Sequence, residues 1–303
     1  MKKVFVYFLL VLGVSVECFA QPAKETWVDS VFNSLSIDEK IGQLFMVAIP
    51  ARIGEEQISK IESQIKSKEI GGVVFDSLGP VQQAKFTNRF QAISEVPLLI
   101  AQDAPLGLGQ RRDSTVHLPD PYIIGAARSD SMAYLVGKEM ARKMRLLGAH
   151  MNISSFADVV ASYHDSLSHY SFGQDRRRVA SKAVAFMHGL QNNGALAVVK
   201  NFTINGATIN GVERDLPVFS ASVDTVRTFA FYKLLQENIA GLMSASSSFP
   251  LFYGDKDLVR KNNFDAATLS LMFTGNWLKK NSGYNGLSVV ALYNKKETEE
   301  KNK

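Results

Sequence analysis

A chain of 303 residues with 46% hydrophobic, 10% aromatic and 21% charged side chains can bury a substantial core, which excludes a disordered or fibrous protein. The formal charge of +5 is a mild excess. The one dense basic cluster, Arg176-Arg177-Arg178, lacks interleaved aromatics and reads as a solvated helix start, which argues against nucleic acid as a partner.

Met1-Lys2-Lys3 leads into an apolar run over 4–14 that is too short to span a bilayer, and Cys18-Phe19-Ala20 supplies small residues for cleavage. Residues 1–20 are therefore expected to be a secretory signal, with 21–303 as one barrel-type domain, secreted and not membrane-spanning once cleaved. Ser15-Val16-Glu17 does not match a lipid-attachment pattern, and Cys18 is the chain's one cysteine. The mature chain would have neither a disulfide nor a thiol nucleophile.

Ser36 followed three residues later by Glu39 predicts a capping box and a short entry helix over 37–41. Beyond it, β-type apolar runs over 43–49, 71–75, 97–102, 150–154, 196–202, 241–245 and 287–292 alternate with helical periodicity over 55–68, 81–94, 131–147, 177–192, 224–238 and 267–280. Gly148, Gly194 and Gly283 stand where helices should stop. This α/β alternation predicts either a TIM-type barrel with seven strands, lacking its last unit, or an open doubly wound sheet. No Gly-x-Gly-x-x-Gly turn follows the first strand, which weakens the dinucleotide-binding version.

Particular stretches decide between the two. They are 35–45 (LSIDEKIGQLF), 70–75 (IGGVVF), 97–103 (PLLIAQD) followed by Gly107-Leu108-Gly109, 171–175 (SFGQD), 267–270 (ATLS) and 284–287 (YNGL). In this order they resemble the N-terminal domain of glycoside hydrolase family 3, most closely its secreted bacterial β-N-acetylhexosaminidases. The resemblance implies an incomplete TIM-type (β/α) barrel, hydrolysis of O-glycosyl bonds as the family activity, no cofactor, and a periplasmic or extracellular location in a bacterium.

A retaining glycosidase needs a carboxylate nucleophile on one side of the sugar and an acid/base on the other. Aligned with the family on Gly286-Leu287, the nucleophile position is Ala291, and a methyl group cannot attack. The family's acid/base histidine and its orienting aspartate fall on Glu213 and Gly211. Among the sugar-holding positions, Tyr170 stands where the family has arginine, Asn201 where it has histidine, and Ser246 at a further histidine position. Asp103, Asp158 and Lys200 keep family identities that line the pocket.

Each survivor also has a plain structural reading: Asp103 capping a turn, Asp158 fixing a loop, Lys200 pairing with one of them. Glu213 beside Arg214 reads as a solvated loop pair. His117, His150, His164, His169 and His188 show no ligand spacing, and without cysteine a zinc site is not expected.

Two functions remain. In the first, a non-catalytic relative keeps at most residual binding to amino sugars or peptidoglycan fragments. In the second, Asp103 and Glu213 form the acid and base of a rewired inverting site, which requires a carboxyl separation of roughly 6.5–9.5 Å. Because the last strand is followed only by the charged run 294–303, an unclosed barrel edge is expected, covered by another protein chain or by that tail.

Overall fold

The computed structural model describes residues 24–76, 78–104, 116–160, 168–202, 225–244 and 284–290. Seven parallel strands run in chain order: β1 (Met46–Ile49), β2 (Gly72–Phe75), β3 (Leu99–Asp103), β4 (Met151–Ser154), β5 (Leu196–Phe202), β6 (Gly241–Ser244) and β7 (Leu287–Val290). Each pairs with its sequence neighbour, so the sheet curls as an incomplete TIM-type barrel rather than reversing its strand order as a doubly wound sheet does.

Helices α1 (Lys24–Ser34), α2 (Ile37–Gly42), α3 (Glu55–Lys66), α4 (Pro80–Ile93), α5 (Pro121–Ala126), α6 (Ser131–Leu146), α7 (Arg176–Gln191) and α8 (Thr225–Gln236) accompany the strands. The capping box forms as expected. The Glu39 amide donates to Ser36 Oγ at 3.3 Å, and the Ser36 amide donates to Glu39 Oε2 at 2.7 Å. Gly148 and Gly194 adopt φ of +67° and +84° directly after helices, a region that glycine enters without a Cβ penalty.

The structure corrects the expected elements in three places. The first strand begins at Met46, not at residue 43, because helical hydrogen bonding carries on: Gln43, Leu44 and Phe45 amides donate to the carbonyls of Glu39, Ile41 and Gly42. Helix α1 was not foreseen, since its apolar residues Trp27, Val28 and Phe32 are exposed and trace no buried stripe. Helix α5 has only six residues, too few for a periodic signal, and starts on Pro121. The helix expected over 267–280 lies outside the described residues.

The main core sits between sheet and helices, with Phe75, Phe90, Phe156 and Phe172 fully buried in it. Phe186 meets the rings of Phe156 and Phe172 edge-on at 5.2 and 6.2 Å. Helices α6 and α7 approach glycine to glycine. A Cβ on Gly137 would stand 2.3 Å from the Phe186 carbonyl oxygen, and one on Gly189 would stand 2.2 Å from that of Tyr134. Beside this contact Lys182 is buried, with its ammonium donating to the Ser129 carbonyl and paired with Asp130 at 2.9 Å.

Candidate functional site

Period-two alternation sorts the strand residues into two layers. Val73, Phe75, Ile100, Val199 and Leu242 face the helices in the main core. Ala101, Met151, Ile153 and Val198 form a separate apolar cluster, with Met46, Val74, Leu99, Met243 and Val289 packed against it. This second cluster plugs the inside of the curl and supplies no polar group.

Asp103 lies two residues beyond Ala101 and Lys200 two beyond Val198, so the same alternation lifts both side chains above the plug at the C-terminal strand ends. There Lys200 Nζ donates to Asp103 Oδ2, and the two side chains are 22% and 25% exposed. Because β3 and β5 flank β4, the ion pair spans the end of β4. Between Val199 and Phe202, β5 holds one more residue than β6 holds between Leu242 and Ser244. Lys200 and Asn201 are the backbone positions inside this irregularity, and a bulge at a barrel rim re-aims a side chain such as that of Lys200.

Asp158 sits half-buried in the segment after β4, where its carbonyl accepts from Ser171 Oγ. The Gly173 amide donates back to Ser171 Oγ at 3.1 Å, and the Val160 amide donates to the Gly173 carbonyl at 3.2 Å. This network fixes the turn Ser168–Tyr170, so Tyr170 is held half-buried at its end. Gly125 of α5 presses on the chain just after this turn, since a Cβ there would stand 1.8 Å from the Phe172 carbonyl oxygen.

The structure thus brings Asp103 and Lys200 together and holds Asp158 and Tyr170 on one tied segment. Asn201 is placed on β5 by its backbone. Gly211, Glu213, Ser246 and Ala291 lie outside the described residues. The sequence reading missed two further polar pairs on the connections that follow β3 and β4. His169 Nδ1 meets Asp120 Oδ2 at 3.2 Å, and Gln174 Nε2 donates to the Tyr122 hydroxyl at 3.0 Å. Forty-nine residues separate His169 from Asp120, and only the fold of the two connections brings them into register.

Among the described residues no group of three or more His, Cys, Asp or Glu could hold a metal ion, and no helix is long and apolar enough to cross a membrane. A groove of about 520 Å³ lined by Asp130, Ser131, Tyr134, Ala185, His188 and Asn192 belongs to α6, α7 and their flanks, with no strand residue in it. The charged groups at the strand ends lie apart from this groove. At those ends an ammonium and a carboxylate lie side by side, a hydrogen-bond donor next to an acceptor.

The model of the glycosyl hydrolase family 3 N-terminal domain matches residues 36–300. The chain belongs to glycosyl hydrolase family 3. A relative, the β-hexosaminidase of Nitrosomonas eutropha, is 24% identical over 200 residues, covering 62% of this chain and 58% of its own. The chain spans less than two thirds of the curated relatives it matches, from 34% to 63% of their lengths. A β-glucoside phosphorylase bound to 2FGlc superposes with a TM-score of 0.70 at 22% identity, over 89% of this chain and 49% of that one. NagZ from Neisseria gonorrhoeae in complex with N-trifluoroacetyl-D-glucosamine gives 0.63 at 21% identity, over 80% and 72%. At these identities the structural likeness carries the family 3 fold and nothing further.

Proposed function

We propose that this family 3 barrel binds amino sugars of the N-acetylglucosamine type, or peptidoglycan fragments that carry them, at the mouth above the lumen plug, without cleaving the glycosidic bond. The observation that carries the reading is the Asp103–Lys200 pair, set at the strand ends where a barrel gathers its ligand contacts. Support for the sugar class comes from the β-hexosaminidase relatives and from the glucosamine derivative bound by the Neisseria protein. Support for the lack of turnover comes from the sequence alone, in which Ala291 takes the nucleophile position, and Gly211 and Glu213 take those of the acid/base pair. The same reading places the protein outside the cytoplasm of a bacterium after cleavage behind Ala20, and it leaves the β1 edge of the barrel to a protein partner.

Thermal unfolding with N-acetylglucosamine and muropeptide fragments tests the binding, because a ligand of the native state raises its melting temperature by mass action. A transition indifferent to every sugar overturns it. Release of the chromophore from a p-nitrophenyl N-acetylglucosaminide overturns the non-catalytic part and points to Asp103 with Glu213 as an acid and base. An N-terminus found at Met1 in the exported fraction, or no exported fraction at all, overturns the location.

A further inference from the structure

We infer that the face formed by α1, α2 and residues 43–45 is a surface on which a second copy of this chain docks. Seven large apolar residues, Trp27, Val28, Phe32, Ile37, Ile41, Leu44 and Phe45, lie within nineteen consecutive positions and are 46–81% exposed. The Lys40 ammonium of α2 sits 4.0 Å over the Phe32 ring of α1 and holds the two helices that carry five of them against each other, with Leu44 and Phe45 directly following α2.

The face leads directly into β1, which among the described residues pairs with β2 alone and so presents an unpaired strand edge. With residue areas of roughly 150–250 Å² for the aromatics and somewhat less for the aliphatics, these exposures leave on the order of 800 Å² of surface. That is about what each partner of a stable complex buries, and more than the roughly 300–600 Å² of the largest apolar patch on a typical monomer.

Three observations favour a second copy over other occupants. The run 294–303 contains no apolar side chain and cannot cover such a face. The acidic side chains of Asp29 and Asp38 are exposed on the same helices, which opposes docking on an anionic lipid surface. With Lys40 beside them, they give the face charges of both signs, the condition under which a two-fold related pair of identical surfaces complements itself. The inference stands apart from the sugar reading, since no residue of the mouth belongs to this face.

Sedimentation equilibrium of the purified chain, from low micromolar concentration upward, tests it. The unaltered chain is expected to run as a dimer, and Leu44→Lys and Trp27→Glu are each expected to weaken the dimer by at least about tenfold. Both side chains are exposed, so the melting temperature of the dissociated chain should stay unchanged, and Ile37→Lys serves as a third variant should either fail to fold. A monomer at every concentration overturns the inference, as does a dimer that none of the three variants weakens. Capture of a monomeric chain by phosphatidylglycerol vesicles overturns it in favour of a lipid surface.

Discussion

The Lys200 ammonium reaches past the end of β4 to the Asp103 carboxylate, tying β3 to β5 at the mouth of the barrel. Each charge is about three-quarters shielded from water, so removing either one leaves the other poorly compensated. Asp103→Asn and Lys200→Met are each expected to lower stability by about 1–2 kcal/mol, after allowance for the solvent that still reaches the pair. Both should also abolish any melting shift produced by N-acetylglucosamine. Urea titration with and without the sugar measures the two effects, and a variant that keeps the full sugar shift would remove the pair from the binding site.

Gly189 of α7 faces the Tyr134 carbonyl with no room for a methyl group. The clash is with backbone, so the helices must separate. Gly189→Ala is expected to cost about 2 kcal/mol or more, despite the better helix propensity of alanine. Gly54→Ala, where a Cβ meets nothing within 4 Å, is the control and should change stability little. Equal melting temperatures for the two variants would contradict the close packing of α6 on α7.

His150 stands in for a backbone acceptor, its Nδ1 taking the Ile100 amide at 3.1 Å while its own amide donates to the Ile100 carbonyl. Although much of the residue is open to solvent, burial of the ring against the strand lowers its pKa below the ordinary 6.5. The unfolded chain therefore binds the proton more readily. Its contribution to stability is full above about pH 6.5 and is lost as the pH falls through the lower folded value. His150→Gln, whose amide oxygen can still accept, should flatten the acid side of a stability profile between about pH 7 and 5. An unchanged slope would show that another group sets it.

Lys182 is buried, with its charge met by Asp130 and the Ser129 carbonyl. Burial pushes the Asp130 carboxyl up, but hydrogen bonds from Ser181 and Lys182 and the Lys182 charge outweigh it and hold the group below the usual carboxylate range. Asp130→Asn should cost about 2–3 kcal/mol by stranding the ammonium. Lys182→Met, which removes the charge and keeps the stem, should cost less than about 1 kcal/mol. Guanidinium unfolding of the two variants checks the order, and the reverse order would sink the argument.

The strands were legible because β1, β2, β3, β5 and β6 carry apolar residues on both faces, one set for the plug and one for the helices, which reads as a continuous run in a parallel sheet. The start of β1 was not, since the hydrogen bonds that extend α2 to Phe45 leave no trace in the polarity of 43–45. Asp103 and Lys200 could be singled out one at a time as charges at strand ends. Their pairing across β4, and that of His169 with Asp120, depend on the curl of the sheet and on two long connections, and nothing local in the sequence encodes either distance. Helix α1 escaped because periodicity detects a face that is buried within the chain, whereas its apolar residues look outward.

The division between plug and mouth separates what keeps the barrel standing from what it can do. The plug is a hydrocarbon assembly, and among the described charged groups above it only the Asp103–Lys200 pair ties strand to strand. Substitutions at rim positions outside that pair can therefore accumulate at little cost to the fold. A scaffold divided this way can change what its mouth binds while the apolar layer beneath keeps its packing.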